Sequence, residues 1–213
     1  MDFIQKWSNI CANYLSTKVP NTKFPSVEDQ IEVYKYGVQV ILGALVKGII
    51  LLILALLLEI LVPVIFITIT FSSLRIIAGG YHFQSYNKCA FISYVIFIGS
   101  ALLVKHTYQY WTDTNIYGLL IFSVLAGLYV LIKYAPRDTI NKPIVKISDV
   151  KRLKKWTLIY LLIWSMNIII CFIFNFKLIV ISSCFGLLLE LFSVSDFGYK
   201  KIYTKINNIN LKI

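Results

Sequence analysis

Charge is what this sequence has least of. Only 15% of its 213 residues are Asp, Glu, Lys or Arg, where a soluble domain carries about a quarter. Hydrophobic residues make up 58% and mean hydropathy is +0.75, the composition of a membrane protein. Acidic residues are scarce, 10 against 21 Lys and Arg. The net charge of +11 would suit nucleic acid if it were clustered on a soluble surface. It falls instead between apolar runs, as in cytoplasmic loops, so no nucleic-acid partner is expected. Two histidines and no HExxH pattern exclude a zinc peptidase. Cys11, Cys89, Cys171 and Cys184 form no CxxC pair and no metal spacing. Neither a disulfide framework nor a metal or other cofactor is expected. Residues 1–25 have no apolar leader core and contain Lys6, Lys18, Lys23 and two prolines, so no cleaved leader is expected.

What is present is a series of long apolar runs. Before them, residues 3–15 set Phe3, Trp7, Ile10, Tyr14 and Leu15 on one helical stripe. This is an amphipathic N-terminal helix suited either to the headgroup plane or to the protein's own cytoplasmic side. Pro20 and Pro25 break the chain, and Ser26-Val-Glu-Asp29 reads as a capping box opening the next helix. The run Gly37–Leu74, taken as one straight helix, would be about 57 Å long, nearly twice the hydrocarbon thickness. It must fold back, and Pro63 is the expected break. The spans expected are 37–58, 61–77, 89–105, 115–132, 156–175 and 178–195. The fold class is an all-α polytopic transmembrane bundle of about six spans, or four with two re-entrant or interfacial pieces. One integral membrane domain covers 1–213: N-terminal helices over 1–36, the bundle over 37–197 and a basic tail over 198–213. Lys and Arg number four in 1–36, two in 75–88, eight in 133–155 and four in 198–213. That asymmetry predicts both termini in the cytoplasm of a multi-pass cell-membrane protein.

Between two greasy runs lies a polar island, Arg75-Ile-Ile-Ala-Gly79-Gly80-Tyr81-His82-Phe-Gln84-Ser85-Tyr-Asn87-Lys88-Cys89, on the cytoplasmic side by the same argument. Cysteine is a strong nucleophile as thiolate, and a neighbouring imidazole is the usual means of making one. His82 and Cys89 are the one such pair close in sequence. On an unbroken helix they would stand about 10 Å apart along the axis, so the chain must bend between them. Alternatively Cys89 opens the next helix, where the dipole and Lys88 favour an anion. Gly79-Gly80 offers backbone N–H groups to an oxyanion, and Arg75 offers a planar fork of donors to a substrate carboxylate. Asn87, Gln84, Ser85 and Ser93 are weaker candidates for a residue that orients the dyad. His106 is set aside as part of an extracellular aromatic belt with Tyr108, Tyr110 and Trp111. Lys47, Glu59 and Glu190 lie in apolar runs, where charges pair, line a cavity or snorkel outward. They motivate the alternative function, a small transporter or signalling membrane protein without covalent chemistry.

The spacing Arg75-(three residues)-Gly79-Gly80-x-His82-(six residues)-Cys89 resembles the AgrB family, the accessory gene regulator B membrane endopeptidases. The stretch Ala135-Pro136-Arg-Asp-Thr-Ile-Asn141-Lys142-Pro143 resembles the family's Ala-Pro…Asn-Lys-Pro segment. The resemblance implies a cysteine endopeptidase with Cys89 as nucleophile and His82 as general base and acid, and a need for Arg75 and Gly80. It implies an AgrD-like propeptide as substrate. The propeptide loses its C-terminal tail through an acyl-enzyme thioester and closes on its own cysteine as a cyclic thiolactone for quorum sensing. Anionic lipid and an acidic propeptide tail would both be drawn to the basic 133–155 loop, Lys142 included. A homodimer stays open.

Overall fold

The computed structural model describes residues 2–18, 26–80, 86–137 and 147–198. His82, Gln84, Ser85, Asn141, Lys142, Pro143 and the basic tail lie outside them. Among the described residues there are seven α-helices and no strands. They are α1 (Asp2–Lys18), α2 (Val27–Leu57), α3 (Leu61–Ala78), α4 (Tyr86–Thr107), α5 (Asp113–Tyr134), α6 (Ile147–Ile173) and α7 (Lys177–Val194). A single 3-10 turn, Tyr108–Tyr110, follows α4. Six of the helices, α2 to α7, are long and apolar enough to cross a membrane, and the protein is multi-pass. The expected bundle of about six spans is the one observed.

The chain forms two compact units, residues 1–54 and 55–213. The first holds α1 and most of α2. Ser26 caps α2 as expected: its Oγ accepts from the Asp29 N–H at 3.0 Å and donates to Asp29 Oδ2 at 2.7 Å. Trp7, Ile10, Tyr14 and Leu15, the stripe of α1, are exposed, which suits a helix that offers its apolar face to lipid.

In the second unit the fold-back after α2 differs in its cause from the expectation at Pro63. The chain turns at Leu58–Ile60, with Glu59 in the left-handed region at φ 54. The Ile60 N–H donates to the Ala55 carbonyl at 2.9 Å and the Glu59 N–H to Leu56 at 3.1 Å, a helix C-cap closure. Pro63 instead sits in the first turn of α3. There its missing N–H has no intrahelical partner to lose. Glu59 is thereby placed outside the apolar run, with its side chain 86% exposed and paired to Lys105 at 3.4 Å.

α7 is the centre of this unit. It is the most buried of the six spans, packing most extensively on α3 and next on α5. The α3–α7 approach depends on Gly186, since a Cβ there would lie 2.5 Å from the Ile67 carbonyl oxygen and 3.0 Å from its Cα. Both are backbone atoms and cannot swing away. Gly186→Ala is therefore expected to cost about 1–3 kcal/mol by overpacking, read as a lower melting temperature of the detergent-solubilised protein. α6 joins the same layer through Tyr160, whose hydroxyl lies 2.8 Å from Ser73 Oγ and donates to the Thr70 carbonyl at 3.2 Å.

Candidate active site

Helices α3, α5 and α7 deliver their C-terminal ends to one end of the unit, and α4 begins there. The Phe71 and Phe97 rings meet edge to face at 5.1 Å between centroids. Gly79, closing α3, and Cys89, in the first turn of α4, each lie about 12 Å along their helix from that ring pair, toward this end. At the opposite end stand the ion pairs Lys105–Glu59 at 3.4 Å and Lys177–Asp113 at 2.6 Å.

α3 ends because Gly79 turns the chain aside at φ 75, its N–H closing the helix on the Arg75 carbonyl at 3.0 Å. That N–H is spent on the cap. Gly80 follows at φ 130. Both values favour glycine over any residue with a Cβ. No single helix therefore runs from Arg75 to Cys89. Cys89 lies in the first turn of α4, half-buried, with Asn87 and Lys88 exposed before it. Ser93 is one turn on and donates its hydroxyl to the Cys89 carbonyl at 2.7 Å, so it braces the backbone under the thiol. His106 is on the same straight helix, about 25 Å from Cys89 along the axis, beyond any hydrogen bond.

Two arginines brace the Gly79–Gly80 corner. Arg137 follows Ala135 and Pro136 at the end of α5. Its N–H donates to the Ala78 carbonyl at 2.8 Å, and a parallel bridge pairs it with Gly79. A Cβ on Gly79 would collide with the Arg137 carbonyl oxygen. The Arg137 guanidinium donates through Nε to the Val194 carbonyl at 2.9 Å and pairs with Asp196, a cation at the C-terminus of α7 where the helix dipole favours it. The two stretches singled out in the sequence, around Arg75 and around Ala135-Pro136, are thus in direct contact.

Arg75 reaches from α3 to α7. Its Nη1 donates to Glu190 Oε2 at 3.0 Å and to Ser193 Oγ at 2.8 Å, while its guanidinium lies over the Phe71 ring at 5.3 Å. Ser193 in turn donates to Glu190 Oε2 at 3.1 Å. The Glu190 side chain is fully buried and that of Arg75 is 17% exposed. Sequence reasoning places Glu190 only as an intramembrane charge that pairs, lines a cavity or snorkels outward, and names neither Ser193 nor Arg137 as a partner of the island. The available signal is the rule that a buried charge needs an opposite one at the same depth. Glu190 near the end of α7 and Arg75 near the end of α3 satisfy it.

Among the described residues no group of His, Cys, Asp and Glu could hold a metal ion.

The description of the accessory gene regulator B family matches residues 8–194. A protein of Clostridium perfringens strain 13, named "Putative AgrB-like protein 2", is 30% identical over 177 residues, covering 78% of this chain and 82% of its own length. A "Putative AgrB-like protein" of Clostridium perfringens strain SM101 is 32% identical over 157 residues, 70% of this chain and 72% of its own. No solved structure matches the chain significantly.

Proposed function

Since the chain belongs to the AgrB family, a family of membrane cysteine peptidases tied to propeptide processing, we propose that it is the endopeptidase that matures an AgrD-like propeptide. Cys89 is the nucleophile and His82 the general base and acid. The Cys89 sulfur attacks the carbonyl at the junction with the propeptide's C-terminal tail, and His82 carries the thiol proton to the leaving amine as the C–N bond breaks. The propeptide is then held on Cys89 as a thioester. The propeptide's own cysteine attacks that carbonyl, a new C–S bond replaces the old one at nearly equal energy, and the Cys89 thiol is regenerated as the ring closes. Water must be excluded for exchange to outrun hydrolysis, which apolar helix walls favour.

The observation that carries the reading is the position of Cys89: half-buried, in the first turn of a membrane-length helix that begins after the Gly79–Gly80 corner has ended α3. Gly79 and Gly80 form the wall of the site, and Arg75 supports it from α3 through its bonds to Glu190 and Ser193 on α7. The clustering of Lys and Arg in the loops that share this end supports a cytoplasmic active site and both termini inside. Anionic headgroups meet the same basic loops.

The test is to trap the intermediate. Purified protein in liposomes is mixed with propeptide, quenched in acid and analysed by mass spectrometry. The peptide containing Cys89 is expected to gain the mass of the propeptide without its tail, and to lose it to hydroxylamine. A transporter gives no such adduct, and its absence during active turnover overturns the reading.

A further inference from the structure

Glu190 is the one fully buried carboxylate among the described residues, and only half of it is used. Oε2 accepts from Arg75 and Ser193. Oε1 has no hydrogen-bond partner among the described residues. It faces Gly80: a Cβ there would lie 3.3 Å from Glu190 Oε1, 3.1 Å from Arg75 Nη1 and 2.5 Å from Ser193 Oγ. A buried acceptor without a donor is costly and rare. Apolar side chains in place of a buried ion pair are often as stable or more so. Stability alone therefore gives no reason for a half-satisfied carboxylate at this spot. Its place does: Gly80 is pressed by this polar wall on one side, while its neighbour Gly79 is held by Arg137 on the other.

Resting on the cysteine-peptidase reading above, we propose that Glu190 and Ser193 are positioning residues for the cleavage step. With Arg75 they make a rigid clasp between α3 and α7 that fixes Gly80. That sets the start of the chain segment leading, two residues on, to His82, relative to Cys89 at the head of α4. They touch neither substrate nor reacting atoms and act through Arg75 and the Gly80 backbone. Their removal should loosen the geometry of proton transfer while leaving propeptide binding alone.

The experiment uses the full-length protein in liposomes with its propeptide, comparing wild type with Glu190→Gln, Glu190→Asp and Ser193→Ala, each scaled to folded protein. Misplacement of catalytic groups by an ångström or less lowers kcat by about 30-fold in Glu190→Gln and about fivefold in Ser193→Ala, with KM held within about twofold. Glu190→Asp, which keeps the carboxylate, retains more kcat than Glu190→Gln. The double variant Glu190→Gln/Ser193→Ala is no slower than Glu190→Gln, because the two residues act as one unit. Wild-type kcat per folded molecule, with only abundance or melting temperature reduced, overturns the proposal. So does a raised KM at unchanged kcat, which would make the clasp a substrate contact. If Glu190→Gln does not fold, Ser193→Ala and Glu190→Asp decide by the same kcat. Cys89→Ala runs in parallel. Wild-type cleavage by it refutes the cysteine-peptidase reading itself, whereas an inactive Cys89→Ala beside an unimpaired Glu190→Gln refutes the clasp alone.

Discussion

Replacing Cys89 by alanine is expected to slow propeptide cleavage by about 10³-fold or more, the usual consequence of losing a catalytic nucleophile. The protein should still insert and melt as before. Cys89 is only half-buried and sits in a helix, where alanine has the best propensity of any residue. The Ser93 hydroxyl bonds the backbone carbonyl of residue 89 and not its side chain, so that brace survives. His82→Ala should lose a similar factor, and the double variant should be no worse than the slower single one, since nucleophile and base work as a unit. Cys89→Ser retains a weaker nucleophile. Its ester is a poor donor to a thiol, so any residual turnover should release the tail without efficient ring closure. The measurement is propeptide cleavage in liposomes, with tail and ring quantified separately. Cleavage by Cys89→Ala at the wild-type rate removes covalent catalysis by this residue from consideration.

The division of labour along this chain explains what can be read from sequence and what cannot. The spans are legible because each is an apolar run flanked by breaks of known chemistry. Ser26–Asp29 opens α2, and the runs expected over 61–77, 115–132 and 178–195 become α3, α5 and α7 with ends shifted by one or two residues. Local caps act over a few residues and leave a local trace. The fold-back before α3 is less legible, because proline is the strongest local breaker but is harmless in a first helical turn. The turn falls on Glu59, a residue with no particular liking for the left-handed region. Least legible is the clasp. Arg75 and Glu190 come together because α7 passes beside α3, and Gly186 permits the approach. No periodicity in either helix announces that contact. An arginine in a catalytic island invites a substrate carboxylate as its partner, and the carboxylate that Nη1 holds is the protein's own. Whether Arg137 belongs to the island is equally invisible until Gly79 is seen bridged to it.

The same corner sets the second large effect. Gly80→Ala is expected to lower cleavage by about 10³-fold, a loss built from two terms. A residue with a Cβ at φ 130 is strained by about 1–3 kcal/mol. That strain can be relieved only by moving the backbone that enters the segment containing His82. The added methyl would also lie 2.5 Å from Ser193 Oγ and 3.1 Å from Arg75 Nη1. Ser193 can rotate, but its hydroxyl is then lost to the guanidinium it accepts from and the carboxylate it donates to. The clasp and the corner are disrupted together, so the effect should exceed that of Glu190→Gln. Gly79→Ala meets the backbone carbonyl of Arg137, which cannot rotate away, and should lower the melting temperature as well as the rate. Gly99→Ala is the matched control, because a Cβ on Gly99, within α4, meets nothing within 4 Å. There alanine should be neutral or stabilise the helix by up to about 1 kcal/mol. Rates per folded molecule for the three variants separate the alternatives. A fast Gly80→Ala beside a normal Gly99→Ala would mean that the corner is a mere connection and the cysteine is positioned by α4 alone.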